Sequence, residues 1–94
     1  MDVKEAIQKA KQYVTRVFAD EGIKNVALEE VVFDSDAKEW RITIGFARPW
    51  DDDPIGIKEA IGLPPSFKRT YKIVLISEKN GEVVSVTNRD LADA

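Results

Sequence analysis

Apolar residues recur along this chain at two periods, and the change from one to the other divides it into a helix and a set of strands. From residue 3 to about residue 20 the apolar positions are Val3, Ala6, Ile7, Ala10, Tyr13, Val14, Val17 and Phe18. Steps of three and four residues put them on one face of a helix. Asp2 can accept hydrogen bonds from the first-turn amides, and Glu5, three residues on, completes a sequence resembling a capping box. Gly22 suits the left-handed residue that closes a helix. Such a helix would run roughly 27 Å, about the length of an eight-residue strand, and could lie along one sheet face.

A period of two takes over after Gly22. Trp40, Ile42, Ile44 and Phe46 alternate with Arg41, Thr43 and Gly45, as in a central strand with one face buried. Residues 26–34 read as the strand before it, but Val26 and Leu28 have one parity and Val31 and Phe33 the other. A β-bulge at Glu29-Glu30 would bring both pairs to the helix side; partial cover on both faces is the rival reading. Asp34 to Lys38 is turn chemistry, so residues 26–47 are predicted to form an antiparallel hairpin. Gly45 within the strand implies a bend or a close backbone approach, and Pro49 ends the ladder.

Residues 48–67 form a long connection, in which Asp53 would cap a short helix with Ile57, Ala60 and Ile61 on its apolar face and Gly62 at its end. Residues 67–77 read as a third strand, with Tyr71, Ile73 and Leu75 alternating against Thr70, Lys72, Val74 and Ile76. Asn80-Gly81 is a strong hairpin signal. It leads to a fourth strand over residues 82–87, with Val84 and Val86 expected on one face. The predicted order is α-β-β-(short α)-β-β: a single α+β domain over residues 1–94, with the helix packed across a four-stranded antiparallel meander.

At this point the chain resembles the cystatin-like α+β arrangement. Tyr71-Lys72-Ile73-Val74-Leu75-Ile76 followed by Asn80-Gly81-Glu82-Val83-Val84-Ser85-Val86 is also similar to the end of PepSY-type domains, which close with a strand, a Gly-Glu-Val turn and a last strand. The PepSY-like resemblance implies a domain that binds or inhibits a partner, often outside the cytoplasm, without catalysis. Cystatin-type protease inhibition needs Gln-x-Val-x-Gly in the first hairpin, where this chain has Asp34-Ser35-Asp36-Ala37-Lys38, so that activity is not implied.

Composition narrows the chemistry. The 94 residues contain no cysteine and no histidine, which removes disulfides, thiolate nucleophiles, zinc-thiolate sites and the commonest general base. The serines accordingly have no imidazole to activate them. A formal net charge of −3 argues against general binding to nucleic acid or an anionic membrane. Gly56-Ile57-Lys58 lacks the rest of a phosphate loop. The chain starts without an apolar signal core, which reads as cytoplasmic.

Three surfaces remain. Asp51, Asp52 and Asp53 could offer oxygen ligands to a divalent cation, but their spacing is not that of a calcium loop, and acids at a helix start are explained by capping. No metal or cofactor site is therefore assigned. Lys68, Arg69 and Lys72, near Phe67 and Tyr71, make a small basic-aromatic patch in which Lys68 and Lys72 are read as the solvent side of a strand. Finally, Thr43, Ala47, Val74, Ile76 and Val83 are expected to point away from the helix. With Arg41 beside them and Trp50, Ile55 and Leu63 from the connection, they would form a partner-binding face; the rival reading is that residues 48–67 fold back and cover them.

The sequence thus predicts a non-enzymatic protein-binding or self-associating domain that uses this outer face, with a protein partner or a second copy. One alternative is an immunity-like or inhibitor-like protein whose acidic surface, Glu29, Glu30, Asp34, Asp36, Asp51, Asp52 and Asp53, blocks a basic site. The other is a weak divalent-metal-binding protein.

Overall fold

The computed structural model describes residues 1–49 and 69–89. Helix α1 spans Val3–Val17 and is followed by a 3-10 turn over Ala19–Glu21. Strands β1 (Lys24–Asp34), β2 (Glu39–Ala47), β3 (Thr70–Ser77) and β4 (Val83–Asn88) form one antiparallel sheet in the order β1-β2-β3-β4. The class is α+β. No helix among the described residues is long and apolar enough to cross a membrane. The short helix expected at residues 53–62 lies outside the described residues.

The helix starts where its sequence says it should, with Asp2 Oδ1 accepting from the Glu5 amide at 2.8 Å. It stops earlier than expected. Phe18 caps it, and Gly22, at φ +64°, closes the 3-10 turn instead of the helix proper. The buried stripe is also narrower than the sequence implies. Ala6, Ala10 and Val14 are fully buried, and Phe18 continues their row, whereas Val3 and Val17 are 39 % and 51 % exposed. Successive members of a row four residues apart rotate by roughly 40° about the helix axis, so this contact row runs obliquely to the axis. Val3 and Val17, one near each end, fall beside it. The small side chains of Ala6 and Ala10 leave room for the sheet below.

Under that row lie Ile42, Ile44 and Phe46 of β2 and Val74 and Ile76 of β3, all fully buried. Here the structure overturns the expected faces of β3. Ile42 pairs with Val74 and Trp40 with Ile76, which places both β3 residues on the helix side. Tyr71, Ile73 and Leu75 take the outer face instead, opposite Gly45, Thr43 and Arg41. The same pairing sets Lys72 opposite Ile44, on the helix side and not on the solvent side. Both parities of residues 70–77 carry apolar residues, so only the pairing register could choose between them.

Irregularities set the faces of the edge strands. In β1, Leu28 pairs with Ile44 and Glu30 with Thr43, leaving Glu29 as the extra residue of a bulge. Leu28, Val31 and Phe33 thereby share the helix side with Ile44, Ile42 and Trp40, as the parity change at Glu29-Glu30 requires. In β4, Leu75 pairs with Ser85 and Ile76 with Val83, so Val84 is the extra residue. Val83 and Val86 pack against the core, while Val84 is 55 % exposed. The expectations that Val84 and Val86 share a face and that Val83 points outward are both corrected by this bulge.

The turns are built as their residues suggest. Asp34 Oδ1 accepts from the amides of Asp36 and Ala37 at 3.0 and 3.1 Å. Gly81 adopts φ +69°, and the Asn80 side chain accepts from the Glu82 amide. The two turns are tied together, since the Glu78 amide donates to the Lys38 carbonyl at 3.0 Å.

Candidate functional site

Because β1 is first in the strand order, its far side has no strand partner among the described residues. It is the longest strand, and Leu28, Val32 and Phe33 on it are between 36 % and 46 % exposed. Val32 sits on the outer face opposite Arg41, while Phe33, on the helix side, packs against Trp40 with ring centroids 4.8 Å apart. Beyond the bulge the edge is regular: Glu30, Val31, Val32, Phe33 and Asp34 pair one for one with Thr43, Ile42, Arg41, Trp40 and Glu39. An exposed edge of this kind leaves backbone donors and acceptors open to an incoming strand.

The bulge has a second effect. It directs the Glu29 side chain over Gly45 on the outer face, where a Cβ on residue 45 would lie 2.8 Å from Glu29 Oε1 and 3.1 Å from Tyr71 Cε1. Gly45 is therefore the close approach that its place in a strand implied. Arg69 faces this carboxylate, with Nε 3.7 Å from Glu29 Oε1, and its Nη2 donates to the Asn25 carbonyl at 2.7 Å. Asn25 itself adopts φ +57°. The Arg89 guanidinium lies 5.8 Å from the Tyr71 ring centroid. Arg69, the residue before β3, is thus tied to β1 through Glu29 and Asn25, with Gly45 and Tyr71 beside the Glu29 carboxylate.

A different cluster closes the core where α1 ends. The Phe18 and Phe46 rings are 5.5 Å apart, and the Arg48 guanidinium lies within 5.6 Å of both centroids. Arg48 pairs with Glu21 at 3.3 Å. The Lys72 amine stands 5.3 Å from the Phe18 centroid and hydrogen-bonds to Asn88. Burial, and then the nearby positive charge of Arg48, hold the Lys72 pKa below the ordinary lysine value, with Glu21 opposing them. An open groove also runs along α1, lined by Met1, Glu5, Gln8, Lys9, Gln12, Tyr13 and Arg16, a mixture that selects no single chemistry.

The structure disperses the residues expected to form a partner-binding face. Arg41 is exposed on the outer face as anticipated. Thr43 and Ala47 are only 2 % and 8 % exposed, so they offer no contact surface. Val74 and Ile76 lie in the core beneath the helix. Trp50, Ile55 and Leu63 lie outside the described residues, as do Asp51, Asp52, Asp53, Phe67 and Lys68.

Of the acidic residues, Glu29 is engaged with Arg69 and Asp34 with the turn amides, while Glu30 and Asp36 are exposed. Among the described residues no three carboxylates converge on a possible metal position. Sequence reasoning missed the edge residues Leu28, Val32 and Phe33. Their signal was available, since residues 26–34 carry more apolar side chains than one covered face of a single strand can bury.

The chain matches no protein-family model, and comparison with curated proteins and with solved structures gives no significant match.

Proposed function

We propose that this chain is a small non-enzymatic domain that binds another protein chain, or a second copy of itself, along the β1 edge of its sheet, which has no strand partner among the described residues. The observation that carries the reading is β1. It is an edge strand of 11 residues with Leu28, Val32 and Phe33 exposed, and its Glu30–Asp34 portion is in regular register. The non-enzymatic part rests on composition and placement: there is no histidine or cysteine, and Glu29 and Asp34 are occupied by structural partners. The resemblance of residues 71–76 and 80–86 to the end of PepSY-type domains, which bind or inhibit partners, supports the same reading.

The test is a Val32→Lys variant, which places a charge on the exposed edge without touching the core. Wild-type protein immobilised in native lysate should retain partners, or sediment as a dimer, and the variant should lose that association while keeping its circular dichroism. Equal retention by both proteins would remove β1 from consideration.

A further inference from the structure

Charge along the open edge selects what can dock on it. We propose that β1 accepts, as a fifth antiparallel strand, an extended segment of another protein in which two basic residues bracket three apolar ones. The proposal rests on the reading of β1 as a docking edge and adds the chemistry of its occupant.

On the regular part of the edge, Glu30, Val32 and Asp34 share the outer face, and Val31 and Phe33 share the helix side. Glu30 has no ion pair among the described residues. Asp34 uses one oxygen for the turn amides and likewise meets no cation there. Residues directly opposite in an antiparallel pair have Cβ atoms about 5 Å apart, so an added strand sets its own side chains against this series one by one. Its complement is a basic residue opposite Asp34, apolar residues opposite Phe33, Val32 and Val31, and a basic residue opposite Glu30. The two basic positions are four residues apart, roughly 13 Å in a strand.

The same arithmetic disfavours a second copy as the occupant. The two-fold register that best matches the apolar residues is centred on Val32 and sets Val31 against Phe33 of the second copy. It also sets Glu30 against Asp34 of the second copy, twice over. Like charges directly opposed across a pair of strands are destabilising.

The experiment uses the full chain, labelled with nitrogen-15, and two synthetic nonapeptides as probes. One has Lys-Val-Ile-Val-Lys at its centre and the other Glu-Val-Ile-Val-Glu. The lysine peptide should shift the amide resonances of residues 30–34, slow their hydrogen exchange, and bind about tenfold more tightly than the glutamate peptide. Glu30→Lys should reduce that preference, and added salt should weaken the lysine complex. If both peptides bind this edge equally, the charge rule is wrong and the docking edge survives. If both perturb only other surfaces, or neither perturbs β1 at millimolar concentration, the edge reading falls as well. A dimer that is broken by Val32→Lys would make self-association the use of the edge and overturn the basic-partner proposal.

Discussion

At Gly45 a missing side chain makes room for an ion pair. The Glu29 carboxylate and the Tyr71 ring converge on the place a Cβ would occupy, and Glu29 is held there by Arg69. Gly45→Ala pushes the Glu29 carboxylate, the far end of a flexible side chain, out of its place and needs the Tyr71 ring to give slightly, so it should destabilise the fold by about 1 kcal/mol. Urea denaturation checks this. Glu29→Ala added to Gly45→Ala should recover part of the loss, because it removes one of the two clashing groups.

Lys72 makes the stability of the fold depend on pH. Its pKa is lowered in the fold by burial and by Arg48, so the folded protein releases this proton at lower pH than the unfolded chain does. The native state then binds fewer protons at this group in the window below the ordinary lysine value, and this group's contribution to stability rises with pH there. Lys72→Met removes that contribution. The stability difference, wild type minus Lys72→Met, should become more favourable as pH rises toward 10.5, the ordinary value for lysine. Thermal unfolding of the two proteins over pH 7 to about 10.5 measures it, since every other titrating group is common to both.

The contact between α1 and the sheet is narrow. It follows one oblique row, Ala6, Ala10, Val14 and Phe18, and the alanines in it are fully buried. Ala10→Leu should therefore overpack the interface and cost about 1–3 kcal/mol. Val17→Lys, on a residue that is half exposed, should change stability by less than about 0.5 kcal/mol. If the wider apolar face read from periodicity were the real contact, the second substitution would be costly as well. The strand pair β1–β2 shows the same dependence on detail. One extra residue, Glu29, keeps Leu28, Val31 and Phe33 on a common side and turns the Glu29 carboxylate toward Arg69.

For the whole molecule, the helix face of β2 is the centre of the only core cluster among the described residues, shared by α1 and β3. Ile42→Ala should cost about 2–5 kcal/mol and lower the unfolding temperature in a single transition. The same calorimetric trace tests whether helix and sheet unfold together.

Much of this architecture was legible in the chain. The 3.6-residue period, with Asp2 as cap, located α1, and the alternation from Trp40 to Phe46 located the central strand. Asn80-Gly81 located the last turn, and the parity change at Glu29-Glu30 located the bulge. Each is a local signal, set by backbone geometry within a few residues.

The candidate site was much less legible. Val74 and Ile76 against Ile73 and Leu75 is a choice between two equally apolar parities, and only pairing with Ile42 and Trp40 sends the first pair under the helix. That choice removed Val74 and Ile76 from the expected binding face and turned Lys72 toward Phe18. Which strand is left at the edge is likewise a property of sheet order, and it makes Leu28, Val32 and Phe33 available. Sequence alone determined that this is an α+β domain without histidine or cysteine chemistry, because composition and local period need no partner. Tertiary structure alone decided which faces are covered and that β1 has one side without a strand partner among the described residues, because register and strand order depend on contacts between residues far apart in the chain.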